Sequence, residues 1–263
     1  MKTSIIVSTY NSPTKLDSVL EHLKKGLNLA DEIIISDDGS NKETFQVVNH
    51  WKRKLPLKHI WHEDKGFRKC KILNKSLRSV TGEYIIFLDG DCIPHQSFVR
   101  DHKKLAEKNY FIQGRRCFVP EEEVEDFLNK NITLMRLFYS GRLSGYFKSI
   151  RFPFPIIKVN QSQRGLIGCN WSAWFDDLVL INGFDEDYQG WGVGEDSDIC
   201  TRLYNLGRKR KFVYGRAIVY HLNHPELPKL HHLDSVKKLE DVIRTRKIRC
   251  KTGLNTTLNE DDY

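Results

Sequence analysis

Asp89, Gly90 and Asp91 follow the apolar run Ile85-Ile86-Phe87-Leu88, placing two carboxylates one residue apart at the end of a strand. Such a pair is a hard-cation site with open positions. Mg²⁺ or Mn²⁺ held by one or two carboxylates completes its shell with phosphate oxygens, so the pattern points to a diphosphate ligand. An Asp-Gly turn whose carboxylates cap backbone amides would carry the same residues. A neutral imidazole fits as a further ligand, and His221, after the apolar Val219-Tyr220, is the candidate.

A second constellation is Gly190-Trp191-Gly192-Val193-Gly194-Glu195-Asp196, a glycine-rich turn opening a helix. A carboxylate at a helix N-terminus stays ionised and can take the proton of an attacking hydroxyl. Trp191 offers the flat apolar face on which sugar rings lie. The same residues could serve only the helix dipole and the core. Asp37-Asp38-Gly39-Ser40 also follows a strand. Carboxylates there can accept from a nucleobase N–H and from ribose hydroxyls, or can simply cap the next helix. Thr9 and Tyr10 end the first strand, and Tyr10 could stack on a base. Lys65, Arg68, Lys69 and Lys71 cluster at a helix start, which suits a phosphate or a solvated basic face.

The elements that must position these groups alternate: Thr3 to Ser8, a helix after Ser12-Pro13, Glu32 to Ser36, a helix near Glu43 to Trp51, Leu57 to Trp61, a helix from Arg68 to Ser79, then Tyr84 to Leu88. This β-α-β-α-β-α-β order predicts an α/β fold, a mostly parallel central sheet flanked by helices, with ligands at the carboxyl ends of the strands. The second half is less regular: a polar helical stretch from Glu121 to Leu143, Arg151-Phe-Pro-Phe-Pro155, Leu166 to Trp174, and a helix from Glu195 to Leu206 ended by Gly207. It is expected to build the acceptor side.

The chain has 263 residues, 40% hydrophobic and 29% charged, which excludes disorder and coiled coil and suits one large domain. No apolar run approaches the roughly 18 residues of a membrane-spanning helix. The start lacks signal-peptide character, so a cytoplasmic location is the expectation. Six separated cysteines with no C-x-x-C pair read as reduced thiols. The net charge of +8 is uneven: Phe127 to Phe175 holds seven basic residues and no acidic one, whereas Asp176 to Thr201 holds eight acidic residues and no Lys or Arg. Lys237 to Lys251 is basic again, with apolar positions Val236, Leu239, Val242 and Ile243 at amphipathic spacing.

Taken in order, Ile6-Val7-Ser8-Thr9-Tyr10-Asn11, Ser36-Asp37-Asp38-Gly39-Ser40, Asp64-Lys65-Gly66-Phe67-Arg68, Phe87-Leu88-Asp89-Gly90-Asp91, and Asn182-Gly183-Phe184-Asp185 through Trp191, Glu195-Asp196 and His221 resemble an inverting family 2 glycosyltransferase of the GT-A fold. The second half also resembles the β-1,4-galactosyltransferase C-terminal motif and bacterial chondroitin polymerase domains. The resemblance implies that Tyr10 and Asp37 contact the base, with Thr9, Asp38, Lys65 and Arg68 on the donor side. Asp89 would meet the ribose, and Asp91 and His221 would hold Mn²⁺ or Mg²⁺. Asp196 would be the base, and Trp191 and Glu195 would bind the acceptor. Two departures stand out. An extra residue separates Trp191 from Glu195-Asp196, and Leu73 precedes Asn74 where relatives often have Arg, leaving Lys71 or Arg68 to meet the phosphate.

These implications give a GT-A domain over 1–225, with a nucleotide-sugar half (1–115) and an acceptor half (116–225), and a basic amphipathic tail over 226–263. The expected reaction is metal-dependent transfer of a hexose or N-acetylhexosamine from a UDP-sugar to a saccharide or lipid-linked acceptor, in bacterial lipooligosaccharide, capsule or other surface glycan assembly. The basic and aromatic segment is expected to face an anionic, lipid-linked acceptor and the basic C-terminal helix to rest on anionic lipid of the inner leaflet, which makes the protein peripheral on that membrane face, and nucleic acid is not expected. The competing readings are a sugar-phosphate nucleotidyltransferase, which should have a glycine-rich loop where Ser8 to Pro13 has no glycine, and a non-catalytic basic protein binding a membrane surface or nucleic acid.

Overall fold

The structure is a computed structural model that describes residues 1–26, 30–160, 166–190, 194–225 and 232–255. Its first half runs β1 (Thr3–Thr9), α1 (Pro13–Lys25), β2 (Glu32–Asp37), α2 (Lys42–Lys52), β3 (Leu57–Trp61), α3 (Lys69–Ser79), β4 (Tyr84–Asp89), matching the predicted alternation. There follow β5 (Cys92–Pro94), α4 (Phe98–Leu105), β6 (Tyr110–Gln113), β7 (Arg115–Val119), α5 (Glu121–Leu128), α6 (Leu134–Tyr139), β8 (Ile156–Asn160), β9 (Asn170–Trp174), α7 (Phe175–Leu180), α8 (Glu195–Asn205), β10 (Lys209–Tyr214), β11 (Ile218–Leu222) and α9 (His232–Thr245).

Ile5-Ile6-Val7, Ile33-Ile34-Ile35 and Ile85-Ile86 are unbroken apolar runs because both sheet faces are covered. Successive side chains enter opposite layers: Ile5, Val7, Ile33, Ile35 and Ile86 join the core beside α1 and α2, whereas Ile6, Ile34 and Ile85 join the core beside α3 and α8. α1 contributes Leu16, Val19, Leu20 and Leu23, one stripe at 3.6-residue spacing.

The eight-stranded sheet has the order β3-β2-β1-β4-β9-β6-β10-β8. β3, β2, β1 and β4 are mutually parallel, β9 runs against β4 and β6, and β8 runs against β10. Strand order turns back on itself at β1, where Thr9 pairs with Asp37 of β2 and Ser8 with Asp89 of β4. That switch point is where open α/β sheets open a crevice. A smaller sheet, β5-β11-β7, sets His221 of β11 opposite Cys92 of β5.

The C-terminal segment packs onto the domain. α9 lies against α8 with Val242 buried, so the amphipathic face is turned toward protein. Beyond it Cys250 and Leu254 are buried, Leu254 N–H donates to Asn182 O at 2.9 Å, and Asn182 Nδ2 donates to Cys250 O at 3.1 Å. All six cysteines are buried and unpaired. Among the described residues no helix is long and apolar enough to cross a membrane.

Candidate active site

At the β1 switch point lies a cleft of about 390 Å³, lined by Ser8, Thr9, Tyr10, Ser12, Lys15, Ser36, Asp38, Phe67, Lys69, Ile72, Asp89, Gly90, Asp91, His224 and Pro225. Three strand ends meet there as the alternation predicts. Gly90 N–H donates to Ser8 O at 2.7 Å, and a Cβ on Gly90 would sit 2.8 Å from that oxygen. Glycine is thus what lets the Asp89–Asp91 turn lie against β1.

Asp89 Oδ1 accepts from Ser8 Oγ at 2.5 Å and from Lys69 Nζ at 2.9 Å. Burial works against the Lys69 ammonium, but the carboxylates of Asp89, Asp196 and Glu195 overcome it and hold its pKa well above the ordinary lysine value. Asp91 has different partners: Oδ2 is 3.2 Å from His224 Nε2 and 3.5 Å from His221 Nε2. Burial pushes the Asp91 carboxyl up, yet the hydrogen bond from His224 and the charges of both histidines bring it down to about 2. The His224 pKa is raised, chiefly by that hydrogen bond, and the His221 pKa is lowered by burial.

Ligand atoms of Asp91, Cys92 and His221 lie within 4.8 Å of one another. His224 keeps its Nε2 on Asp91 while Nδ1 lies 2.9 Å from Pro225 O, and a backbone carbonyl on the far nitrogen is how metal-bound imidazoles are oriented. Asp91 and His224 line the cleft and His221 stands beside Asp91, and one carboxylate with two imidazoles is a donor set that fits a divalent cation such as Mn²⁺ better than Mg²⁺, with places left for phosphate oxygens. The sequence reading named His221 and missed His224; the H-x-x-H spacing was the available signal.

Asp196 lies in the first turn of α8, behind Lys69. Its Oδ2 accepts from Gly168 N–H at 3.0 Å, and with Lys69, Asp89, Leu73 and Gly168 it lines a small cavity next to the cleft. Burial and the Glu195 carboxylate push Asp196 up to about 7, against the pull of Lys69 and the Gly168 amide. A carboxylate at that value changes protonation near neutrality, which suits a general base.

The donor-side residues separate into those at the cleft and those behind it. Tyr10 is half exposed and its hydroxyl donates to Asp64 Oδ2 at 2.8 Å, which raises its pKa. Thr9 and Asp38 line the cleft, with Asp38 accepting from Arg68 N–H at 2.9 Å and lying 2.7 Å from His62 Nε2. Asp37, expected at the base, is instead buried beneath: its carboxylate accepts from Ser40 N–H at 2.8 Å and meets His59 Nε2 at 2.8 Å, and it is absent from the lining. Two residues expected at the phosphate also stand aside. Lys65 is exposed and pairs with Glu63 at 3.1 Å, and Arg68 turns its guanidinium to Glu63 O. The cations that do line the cleft are Lys15 and Lys69. Leu73, at the position noted for arginine, is buried in the core beside α3. Trp191 lies outside the described residues, and Glu195 opens α8 next to Asp196.

The sequence model of glycosyl transferase family 2 matches residues 4–168, and a model described as the N-terminal domain of galactosyltransferase matches residues 153–225. Chondroitin synthase of Pasteurella multocida is 26% identical over 240 residues, covering 84% of this chain and 25% of that protein. Chondroitin synthase of Escherichia coli is 27% identical over 240 residues, covering 84% and 35%. The chain therefore spans about a quarter to a third of the length of these relatives. Among solved structures, Staphylococcus aureus TarS superposes with a TM-score of 0.67 at 18% identity, covering 98% of this chain and 41% of that one. A mannosyltransferase from Pyrobaculum calidifontis, in complex with GDP-Man and Mn²⁺, gives 0.57 at 18% identity, covering 94% and 61%. The architecture shared with these structures is the GT-A fold.

Proposed function

The chain belongs to glycosyl transferase family 2, a family of sugar-transferring enzymes, and on that premise we propose that it moves a hexose or N-acetylhexosamine from a UDP-sugar to a saccharide hydroxyl with inversion. The observation that carries this reading is the placement of Asp196 in a small cavity that shares Lys69 and Asp89 with a cleft lined by Asp91 and His224, with His221 3.5 Å from Asp91. TarS has been solved in complex with UDP and with UDP-GlcNAc, which favours a uridine donor.

In this reading Tyr10 and Asp38 receive the base, with Asp37 holding the β2 turn beneath them, and Asp89 receives the ribose. Lys15 and Lys69 face the diphosphate. Asp91, His221 and His224 would hold a divalent cation, which when bound would supply positive charge toward a departing diphosphate. Asp196 takes the proton of the acceptor hydroxyl, whose oxygen bonds to the anomeric carbon from the face opposite the nucleotide. The bond from that carbon to the diphosphate breaks, its electron pair leaving with the phosphate oxygen. Glu195 and Trp191 orient the acceptor.

The acceptor side is basic and aromatic. Phe147 is 82% and Phe154 83% exposed, in a segment free of carboxylates from Phe127 to Phe175. Such a surface suits an anionic, lipid-linked glycan of a bacterial surface polymer and the inner leaflet that carries it. With the α9 apolar face turned to α8, this segment rather than the C-terminal helix would meet lipid. Sedimentation with vesicles tests it: preference for anionic over neutral vesicles is expected, and equal partitioning would remove lipid from the reading.

The test of the whole reading is thermal unfolding against nucleotide diphosphates and their sugars, with Mn²⁺ and with chelator. A ligand bound only by the folded state raises Tm by mass action. A metal-dependent rise with UDP, larger for one UDP-sugar, is expected; no rise with any nucleotide would overturn it.

A further inference from the structure

Lys69 lines both the cleft and the small cavity behind it, the first shared with Asp89 and Asp91, the second with Asp89, Leu73, Gly168 and Asp196. It occupies the first position of α3, and its Nζ reaches Asp89 Oδ1 at 2.9 Å. Asp89 is fixed in turn by Ser8 Oγ. Asp89 from β4 and Asp196 from α8 line that small cavity together with Lys69, and their carboxylates and that of Glu195 all favour the charged ammonium. Several carboxylates sharing a water-poor site cannot all ionise without a cation among them.

We propose, on the reading of Asp196 as the base, that Lys69 is the positioning residue for that base, anchoring on Asp89 and supplying the counter-charge that leaves the Asp196 carboxylate free to accept the acceptor's proton. The groups that face Asp196 from each packed element are consistent with this assignment. Glu195 from its own helix opposes ionisation, as does Asp89 from β4; the Gly168 N–H and Lys69 favour it. Cys70 of α3 and Cys200 of α8 feel the Asp196 charge and are themselves pushed toward the neutral thiol, chiefly by burial, so neither supplies a compensating charge. Asp198 is committed to Arg202 at 2.6 Å. Lys69 is thus a side-chain cation bearing on the base, and it also bonds a donor-side carboxylate.

The test separates the electrostatic role from the transferase reading. Protein labelled with ¹³C at aspartate carboxyls is titrated as wild type, Lys69→Met, Lys69→Gln and Lys69→Arg, with Asp196→Asn identifying the Asp196 resonance. The wild-type midpoint is expected near 7, moving up by about one pH unit or more in the two neutral variants and staying near wild type in Lys69→Arg. Lys69→Gln keeps a donor toward Asp89, so it serves where Lys69→Met fails to fold. An unmoved Asp196 midpoint in either neutral variant, with native amide spectra, overturns the proposal. In turnover the acid limb of kcat should move alkaline in step with the resonance; an unmoved limb, whatever the size of kcat, overturns the proposal, since a lysine that only contacts the diphosphate lowers kcat and leaves the limb in place. Wild-type protein silent toward every nucleotide sugar would sink the transferase reading, while the titration would still decide the role of Lys69.

Discussion

Gly168 and Asp196 are built against each other. The Gly168 N–H donates to Asp196 Oδ2 at 3.0 Å, and a Cβ on residue 168 would lie 2.2 Å from Oδ1 and 2.3 Å from Oδ2. The residue leading into β9 therefore both aims the α8 carboxylate and leaves the space it fills.

Gly168→Ala should displace Asp196 without disturbing the cleft on the other side of Lys69. A misplacement on the order of 1 Å at a reacting group costs roughly 10²-fold in rate. Transfer is expected to fall by about that factor with UDP affinity little changed, read from steady-state kinetics beside calorimetric titration. Full turnover in the variant would mean that the carboxylate does not need this seat.

Asp196 itself should govern both rate and stability against pH. Its folded value of about 7 lies above the ordinary 3.8, so between those values the folded chain binds a proton that the unfolded chain has released. Stability from this group is therefore complete below about pH 4, declines as pH rises to 7, and is level above it. Asp196→Asn removes that decline: relative to wild type its Tm should be higher at pH 8, with the gap closing toward pH 4. The same change should lower kcat by about 10²–10⁴-fold, the usual contribution of a positioned base. A variant no more stable than wild type at pH 8 would contradict the buried, elevated carboxylate.

How much of this was legible in the sequence depended on whether a residue's role was local. β1, β2 and β4 could be read because sheets covered on both faces demand continuous apolar runs, and Asp89 to Asp91 stood at the end of one. β7 and β10 could not: Arg115-Arg116 and Lys209-Arg210-Lys211 break any strand period, and charges such as those of Arg115 and Lys211 are accommodated by partners distant in sequence. Arg115 lies 4.4 Å from the Tyr214 ring centroid, and Lys211 donates to Glu107 at 2.5 Å. The same blindness applied to the site. Lys69 looked like one member of a basic run, and only the fold, which sets the start of α3 beside the end of β4 and the small cavity shared with Asp196, gives it carboxylate partners. Asp37 and Asp38 are adjacent in sequence, so strand alternation sends one to the cleft and the other beneath it, to His59. The paired-carboxylate pattern could not say which.

The cation site should depend on His224 as well as on the expected pair. His224→Ala removes an imidazole held by Asp91 on one nitrogen and Pro225 O on the other. Loss of a ligand's orienting contacts typically costs 10–100-fold in metal affinity, and loss of the ligand itself should cost at least about that much. Mn²⁺ titration in the presence of UDP is expected to weaken accordingly for His224→Ala, and similarly for Asp91→Ala. Metal-free UDP binding should be nearly unchanged in His224→Ala. Unaltered Mn²⁺ dependence in that variant would return the site to Asp91 and His221 alone.

Asn74 ties the donor half to the segment that delivers α8. Its Oδ1 accepts from Phe184 N–H at 2.9 Å, and its Nδ2 donates to Phe184 O at 2.9 Å and to Glu186 Oε1 at 2.8 Å. The side chain thus satisfies both polar groups of one peptide unit pair in a loop that has no strand or helix to do so. Phe184 packs edge-on to Phe87 at 5.4 Å and near Trp171, so the clamp also seats an aromatic of the core beside β4 and β9. Asn74→Ala leaves the Phe184 amide and carbonyl buried without these partners, and each orphaned group costs about 1–3 kcal/mol. Asn74→Asp keeps the acceptor for Phe184 N–H but turns a donor toward Phe184 O and Glu186 into a negative charge, and should be at least as harmful. Urea unfolding is expected to place the alanine variant about 2–4 kcal/mol below wild type with an unchanged m-value, on the same principle. Because Glu186 stands only a few residues before the turn into α8, loosening here should lower kcat more than it weakens UDP binding. A variant with lost stability and a kcat equal to wild type would show that α8 holds its place without the clamp, through its core residues Ile199 and Leu203 and the bonds of Arg202 to Ile181 O and Gly183 O.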